Sequence, residues 1–136
     1  MEDPLHREIL EEHARSPGHQ ISLGKSPAQT VWTSTKTGNT CSISISIKDN
    51  RLAGIQATVN GSALAVACAS LMGQAVEDLA VGEAIALAES VIEFLEYGKE
   101  KAFPGDLIVY ESIIRFPERH DCAMLAWRAL VSLLKN

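Results

Sequence analysis

Residues 41–72, CSISISIKDNRLAGIQATVNGSALAVACASLM, decide the fold, because the hydrophobic period changes inside them. From Cys41 to Ile47 apolar and small polar residues alternate. Ile43, Ile45 and Ile47 fall on one face, Ser42, Ser44 and Ser46 on the other. A period of two is that of a half-buried strand with one wet side. Asp49-Asn50 is turn chemistry, and RLAGIQATV then resumes the alternation, which predicts two strands joined in a hairpin. After Asn60-Gly61 the pattern turns helical, with Ser62 as candidate cap of an Ala- and Leu-rich helix reaching Val76.

Upstream, TVWTSTKT at 30–37 predicts a further strand, joined at Gly38-Asn39 to complete an antiparallel meander. Before it, Pro4 to Ser16 reads as a helix with Leu5, Ile9 and Leu10 as its apolar stripe. Pro17-Gly18 stops that helix, and a polar stretch runs on to about Ser26. His6 and His13 read as surface groups. Downstream, VGEAIALAESVIEFLEYG at 81–98 predicts a helix with Glu in its first turn and Gly98 as C-cap. GDLIVYESIIRF at 105–116 predicts a shorter one. After Pro117, residues 121–135 predict the last helix, with Asp121 as N-cap and Lys135 at its negative end. The order is that of an α+β domain: a small three-stranded antiparallel sheet, an N-terminal helix, and several C-terminal helices packed against it. The whole chain, 1–136, reads as one domain without repeat or linker.

Composition agrees. Hydrophobic residues make up 46% and aromatics only 5%, so the core is to be built from Ala, Leu, Ile and Val. A net charge of −5 makes no basic track for phosphates, which argues against nucleic acid as a partner. No apolar run reaches the ~18 residues of a membrane span. With no signal-peptide pattern at the N-terminus, Cys41, Cys68 and Cys122 are expected to be free thiols of a reducing cytoplasm.

Two of those thiols sit at structural punctuation. Cys41 follows the Gly38-Asn39-Thr40 turn, and Cys122 lies in the first turn of a helix, whose N-terminus favours a thiolate. His120 could add an imidazole nitrogen and Asp121 a carboxylate oxygen. From spacing alone the signal is weak, since no C-x-x-C is present and the two cysteines are about 80 residues apart. A small buried role remains open for Cys41 and Cys122. An exposed loop position remains open for His120, and a capping role for Asp121. Cys68, inside ALAVACASLM, reads as small-residue packing.

The same residues carry a resemblance that spans nearly the whole chain. LHREILEEHARSPGH resembles the first helix of the iron–sulfur cluster scaffold proteins of the NifU N-terminal, IscU and SufU group. VNGSALAVACASLMGQAV resembles the G-C-S-I-S-x-A-S-A-S-x-M segment of that family. FPERHDCAMLAWRAL resembles F-P-x-R-x-x-C-A-x-L-x-W-x-A-L, most like the SufU branch; GKEKAFPGDLIVYESIIRFP ahead of it is SufU-like as well. The family holds one metal or cluster with three cysteines and an aspartate. The resemblance implies Cys41 and Cys122 as first and third cysteines. It puts Ile43 at the aspartate position and Ser62 at the second cysteine, so two of the four ligands are changed. Cys68 lies six residues, about 9 Å, beyond Ser62 along a helix and is no simple replacement. The IscU branch has a histidine directly before its third cysteine; here that slot holds Asp121, with His120 one place earlier.

The resemblance implies a non-enzymatic scaffold or sulfur acceptor. It would bind iron, a [2Fe–2S] cluster or zinc through Cys41 and Cys122, with His120 as a further ligand and Asp121 and Ser62 as weaker ones. Cys122 would accept persulfide sulfur from a cysteine desulfurase. Apo-protein acceptors of the cluster, and a homodimer sharing four thiolates, would be its other partners. A different reading keeps the fold as a docking module for a desulfurase without metal chemistry. A third makes Cys41, Cys122, His120 and a water the ligands of zinc. The resemblance also implies that the turn before Cys41, the helix start at Ser62 and the helix start at Cys122 gather at one end of the molecule.

Overall fold

The structure, a computed structural model, describes residues 3–15, 30–98, 103 and 105–135. The expected helix stop at Ser16 to Gly18 and the polar stretch to Ser26 lie outside them.

The chain runs α1 (Pro4–Arg15), β1 (Thr30–Thr33), β2 (Thr40–Lys48), β3 (Arg51–Asn60), α2 (Ala63–Val76) and α3 (Val81–Tyr97). A 3-10 turn (Gly105–Val109) then leads into α4 (Tyr110–Ile113), and a second (Pro117–Arg119) into α5 (His120–Leu134). The strands form an antiparallel sheet in the order β1-β2-β3. This is the α+β meander with flanking helices that the periodicity predicts.

The hairpin between β2 and β3 turns at Asp49 and Asn50, with φ of 52° and 61°. Two left-handed residues in succession suit the right-handed twist of paired strands, and Asp and Asn tolerate that region. On β2, Cys41, Ile43 and Ile45 are buried. Ile47 departs from expectation and is 55% exposed. The register shifts between Ser46 and Ile47, and the bulge turns the following side chains away from the core. The strand predicted over 30–37 ends at Thr33, because Ser34 to Asn39 close a tight turn. Ser34 N–H donates to Asn39 O at 2.8 Å and Gly38 N–H to Ser34 O at 2.9 Å. Gly38 supplies the left-handed residue, φ 79°, that this turn requires.

The starts of α2 and α3 and the end of α3 follow the sequence. Ser62 caps α2, its Oγ accepting from Ala65 N–H at 3.1 Å. Glu83 accepts from Ala80 N–H at 3.0 Å at the start of α3, and Gly98 ends that helix at φ 70°. The segment predicted as one helix over 105–116 divides into the 3-10 turn and the four-residue α4.

Helix α5 packs against α2, α3, β1 and β2 and is the centre of the molecule. Trp127 is fully buried in it, and its indole N–H donates to Tyr110 Oη at 2.7 Å. Phe94, Phe103, Tyr110 and Trp127 follow one another edge to face, with centroids 5.4, 6.3 and 6.4 Å apart. Thus the few rings concentrate in one line while Ala, Leu, Ile and Val fill the remainder.

The inner face of α1 differs from the expected stripe. Leu5 is 60% exposed, whereas Leu10 and His6 are buried. His6 Nδ1 bonds Ser112 Oγ at 2.7 Å. One turn beyond Leu10, His13 bonds Ser70 Oγ through Nδ1 at 2.7 Å and Asp106 through Nε2 at 3.2 Å. Two histidines expected at the surface therefore lock α1 onto α2 and the segment around α4. Buried polar groups require such partners, which distant residues supply here.

Candidate sulfur site

The 3-10 turn that begins at Pro117 runs directly into α5. Pro at the first position presets φ for a helical start. Arg119 thereby becomes the N-cap residue, without a side-chain cap bond, and Asp121 falls inside the first turn. Asp121 is not the cap the sequence suggests. Its Oδ2 accepts from Ser34 Oγ at 2.5 Å and from Thr37 Oγ1 at 3.2 Å, tying the β1–β2 turn to α5. Ser34 is itself buried and accepts the backbone N–H groups of Lys36 and Thr37 at 3.1 and 3.2 Å.

Next to Asp121, Cys122 is half-buried, while Cys41 and Cys68 are fully enclosed. Burial pushes the Cys41 thiol up to about 12 from an ordinary 9.0. Burial does the same to Cys68, which also receives a hydrogen bond from Tyr110 and lies within electrostatic range of Cys122. Cys122 is the thiol of the three that solvent reaches.

The turn ahead of Cys41 touches Cys122 directly. Asn39 Nδ2 donates to Cys122 Sγ at 3.5 Å. The same side chain lies against Gly61, just before the Ser62 cap: a Cβ on Gly61 would meet Asn39 Cγ at 2.7 Å. Asn39 thus joins the turn before Cys41, the start of α2 and the start of α5. The three junctions gather at one end of the molecule, as the resemblance implies. Sequence reasoning took Asn39 only for turn chemistry; its place two residues before a cysteine was the available signal.

The remaining candidates face elsewhere. The His120 Nε2–H donates to Ile114 O at 2.9 Å. Ser62 is exposed, and its hydroxyl oxygen is engaged by Ala65 N–H. Ile43 is fully buried beside Cys41 on the inner face of β2. Among the described residues, no three His, Cys, Asp or Glu side chains are grouped to hold a metal ion. These donors, in these positions, do not fit a closed four-donor centre within one chain.

The whole of this architecture, from α1 to the end of α5, has known counterparts. Residues 5–136 match the family model of the NifU-like N-terminal domain. The chain belongs to that family. Over 134 residues the NifU-like domain is 26% identical to the iron–sulfur cluster assembly scaffold protein IscU of Streptococcus pyogenes, covering 97% of this chain and 84% of that protein. It is 24% identical over 131 residues to the zinc-dependent sulfurtransferase SufU of Bacillus subtilis, covering 94% and 88%. Among solved structures, a NifU-like N-terminal protein from Brucella abortus superposes with a TM-score of 0.80 at 19% identity, covering 94% of this chain and 90% of that one. A scaffold protein for the SUF system from Fervidobacterium islandicum gives 0.77 at 15% identity, covering 93% and 94%. Both share the fold of the NifU-like domain. Among its described residues, no helix is long and apolar enough to cross a membrane.

Proposed function

We propose that this NifU-like domain is a sulfur-accepting scaffold of iron–sulfur cluster assembly, with Cys122 as the acceptor. The observation that carries the reading is the accessible thiol at the start of α5, with the Cys41 turn and the Ser62 helix start drawn in around it. A helix N-terminus stabilises anionic sulfur, and partial exposure admits a donor. The Cys122 thiolate would attack the outer sulfur of a persulfide on a cysteine desulfurase. A new S–S bond forms at Cys122 Sγ, the donor S–S bond breaks, and the donor leaves as a thiolate. Acceptance of this kind is stoichiometric and needs no catalytic turnover of the domain.

Iron or a [2Fe–2S] cluster is then cargo for delivery to apo-proteins rather than a resident group. Cys122 and, once its burial is relieved, Cys41 would be its thiolate donors, while His120, which faces the Ile114 carbonyl, and the weaker oxygen donors Asp121 and Ser62 would have to turn toward them. Two subunits would together supply the four thiolates that a cluster requires.

The test is anaerobic incubation with a cysteine desulfurase and cysteine, followed by mass analysis of the cysteine peptides. Reconstitution with iron and sulfide then completes it. Expected are one added sulfur on Cys122, its loss in Cys122→Ser, and iron with visible absorbance that both Cys41→Ser and Cys122→Ser abolish. No sulfur on Cys122, together with no iron, refutes the reading. A desulfurase that still binds the double Cys→Ser variant would leave the chain as a docking module.

A further inference from the structure

We propose that Asn39 is the positioning residue that holds the Cys122 sulfur for nucleophilic attack, an inference that rests on the acceptor reading above. The amide is fixed on three sides. Its backbone is bound into the turn, with Asn39 O accepting from Ser34 N–H at 2.8 Å and Asn39 N–H donating to Thr37 Oγ1 at 3.2 Å. Behind the side chain, the missing Cβ of Gly61 leaves room that any other residue would fill, at 2.7 Å from Cγ and 3.0 Å from Nδ2. In front lies Cys122 Sγ, 3.5 Å from Nδ2. A half-buried amide so confined keeps its N–H aimed at one atom without the cost of ordering it during the reaction.

The chemistry suits sulfur that carries charge. An N–H donor bonds an anion more strongly than a neutral thiol, and the amide brings no charge of its own. Asn39 therefore holds the attacking sulfur in place and then donates to the persulfide sulfur that replaces it. It also links sulfur loading to the start of α2, since moving Gly61 moves Asn39. This assigns a role to Gly61 that turn formation does not require, as its φ lies outside the left-handed range.

The experiment uses the full chain and glutathione persulfide as donor, under anaerobic conditions, and follows the rate at which the Cys122 peptide gains one sulfur. Iodoacetamide alkylation of Cys122 is measured in parallel, with no sulfur donor present. Asn39→Ala is expected to slow both by about fivefold, the size of one net hydrogen bond. Asn39→Asp, the same shape with no N–H and a negative charge, is expected to be slower still, although packing is conserved. Gly61→Ala should slow both as Asn39→Ala does. Thermal unfolding midpoints identify any variant that has lost its fold, and the Asp-versus-Ala order is a readout that a packing role alone would not produce. Equal alkylation rates in the wild type, Asn39→Ala and Asn39→Asp overturn the proposal, whatever the persulfide result. If the wild type gains no sulfur while alkylation keeps the expected order, Asn39 retains its role and the acceptor reading alone falls.

Discussion

Ser34 and Asp121 meet across 87 positions of chain, hydroxyl to carboxylate, at the point where the β1–β2 turn rests on α5. Ser34 is buried and uses its one oxygen for three bonds, two of them to backbone N–H groups of its own turn. Replacing it by Ala removes the acceptor of those two N–H groups and leaves Asp121 Oδ2 with Thr37 Oγ1 alone. Ser34→Ala is expected to lower unfolding free energy by about 2 kcal/mol, the usual cost of an abandoned buried bond. Urea unfolding measures it; a change under about 0.5 kcal/mol would show that the turn does not depend on this hydroxyl.

Thiol reactivity should separate the three cysteines. In the native protein iodoacetamide is expected to modify Cys122 and spare Cys41 and Cys68, which are fully enclosed. In denaturant all three should react. Peptide mass mapping distinguishes these outcomes, and native labelling of Cys68 would contradict the packing of α2.

Stability should fall in alkaline solution. Burial holds the thiols of Cys41 and Cys68 protonated up to about 12, whereas an unfolded chain releases those protons near the ordinary 9.0. Above that lower value the unfolded state binds fewer protons than the folded one. The contribution is thus complete below pH 9 and is lost as pH rises toward 12. Each thiol adds a slope of about 1.4 kcal/mol per pH unit at most. Urea midpoints taken at several values in that window, with reductant present, should drop, and Cys68→Ala should flatten the drop.

The two faces of α1 should respond unequally. Leu10→Ala removes a buried side chain and should cost about 2–4 kcal/mol. Leu5→Ala removes one that is 60% exposed and should cost under about 0.5 kcal/mol. Thermal or urea unfolding of the pair decides whether the inner face is the observed one or the stripe suggested by Leu5, Ile9 and Leu10.

Ser112→Ala should cost about 1–2 kcal/mol, because it strands the buried Nδ1 of His6. If His6→Phe in the same background recovers most of that loss, the imidazole serves packing and hydrogen bonding alone.

Features set by neighbouring residues were legible in the sequence. The serine–isoleucine alternation marked β2, Asp49-Asn50 its hairpin, and Ser62 and Gly98 the helix ends, because each works within a few positions of chain. Features set by partners far away were not. Nothing near His6 or His13 announces Ser112 or Ser70, and nothing near Asp121 announces Ser34. Ile47 fits its alternating pattern perfectly and is turned out by a bulge that the pattern does not encode. At the site, the place of Cys122 in a first helical turn was legible, but its partial exposure and its contact with Asn39 depend on residues more than 80 positions away.

Three hydrogen bonds that close this end of the domain onto α5 join residues 83, 84 and 87 positions apart, and each ends on the first turn of that helix. A chain still emerging from the ribosome has the early strands but not the last helix, so it offers no half-built version of the sulfur pocket. Long-range closures of this kind come late in folding. On the acceptor role proposed above, a donor that recognises the assembled junction would deliver sulfur only to chains whose α5 is already in place.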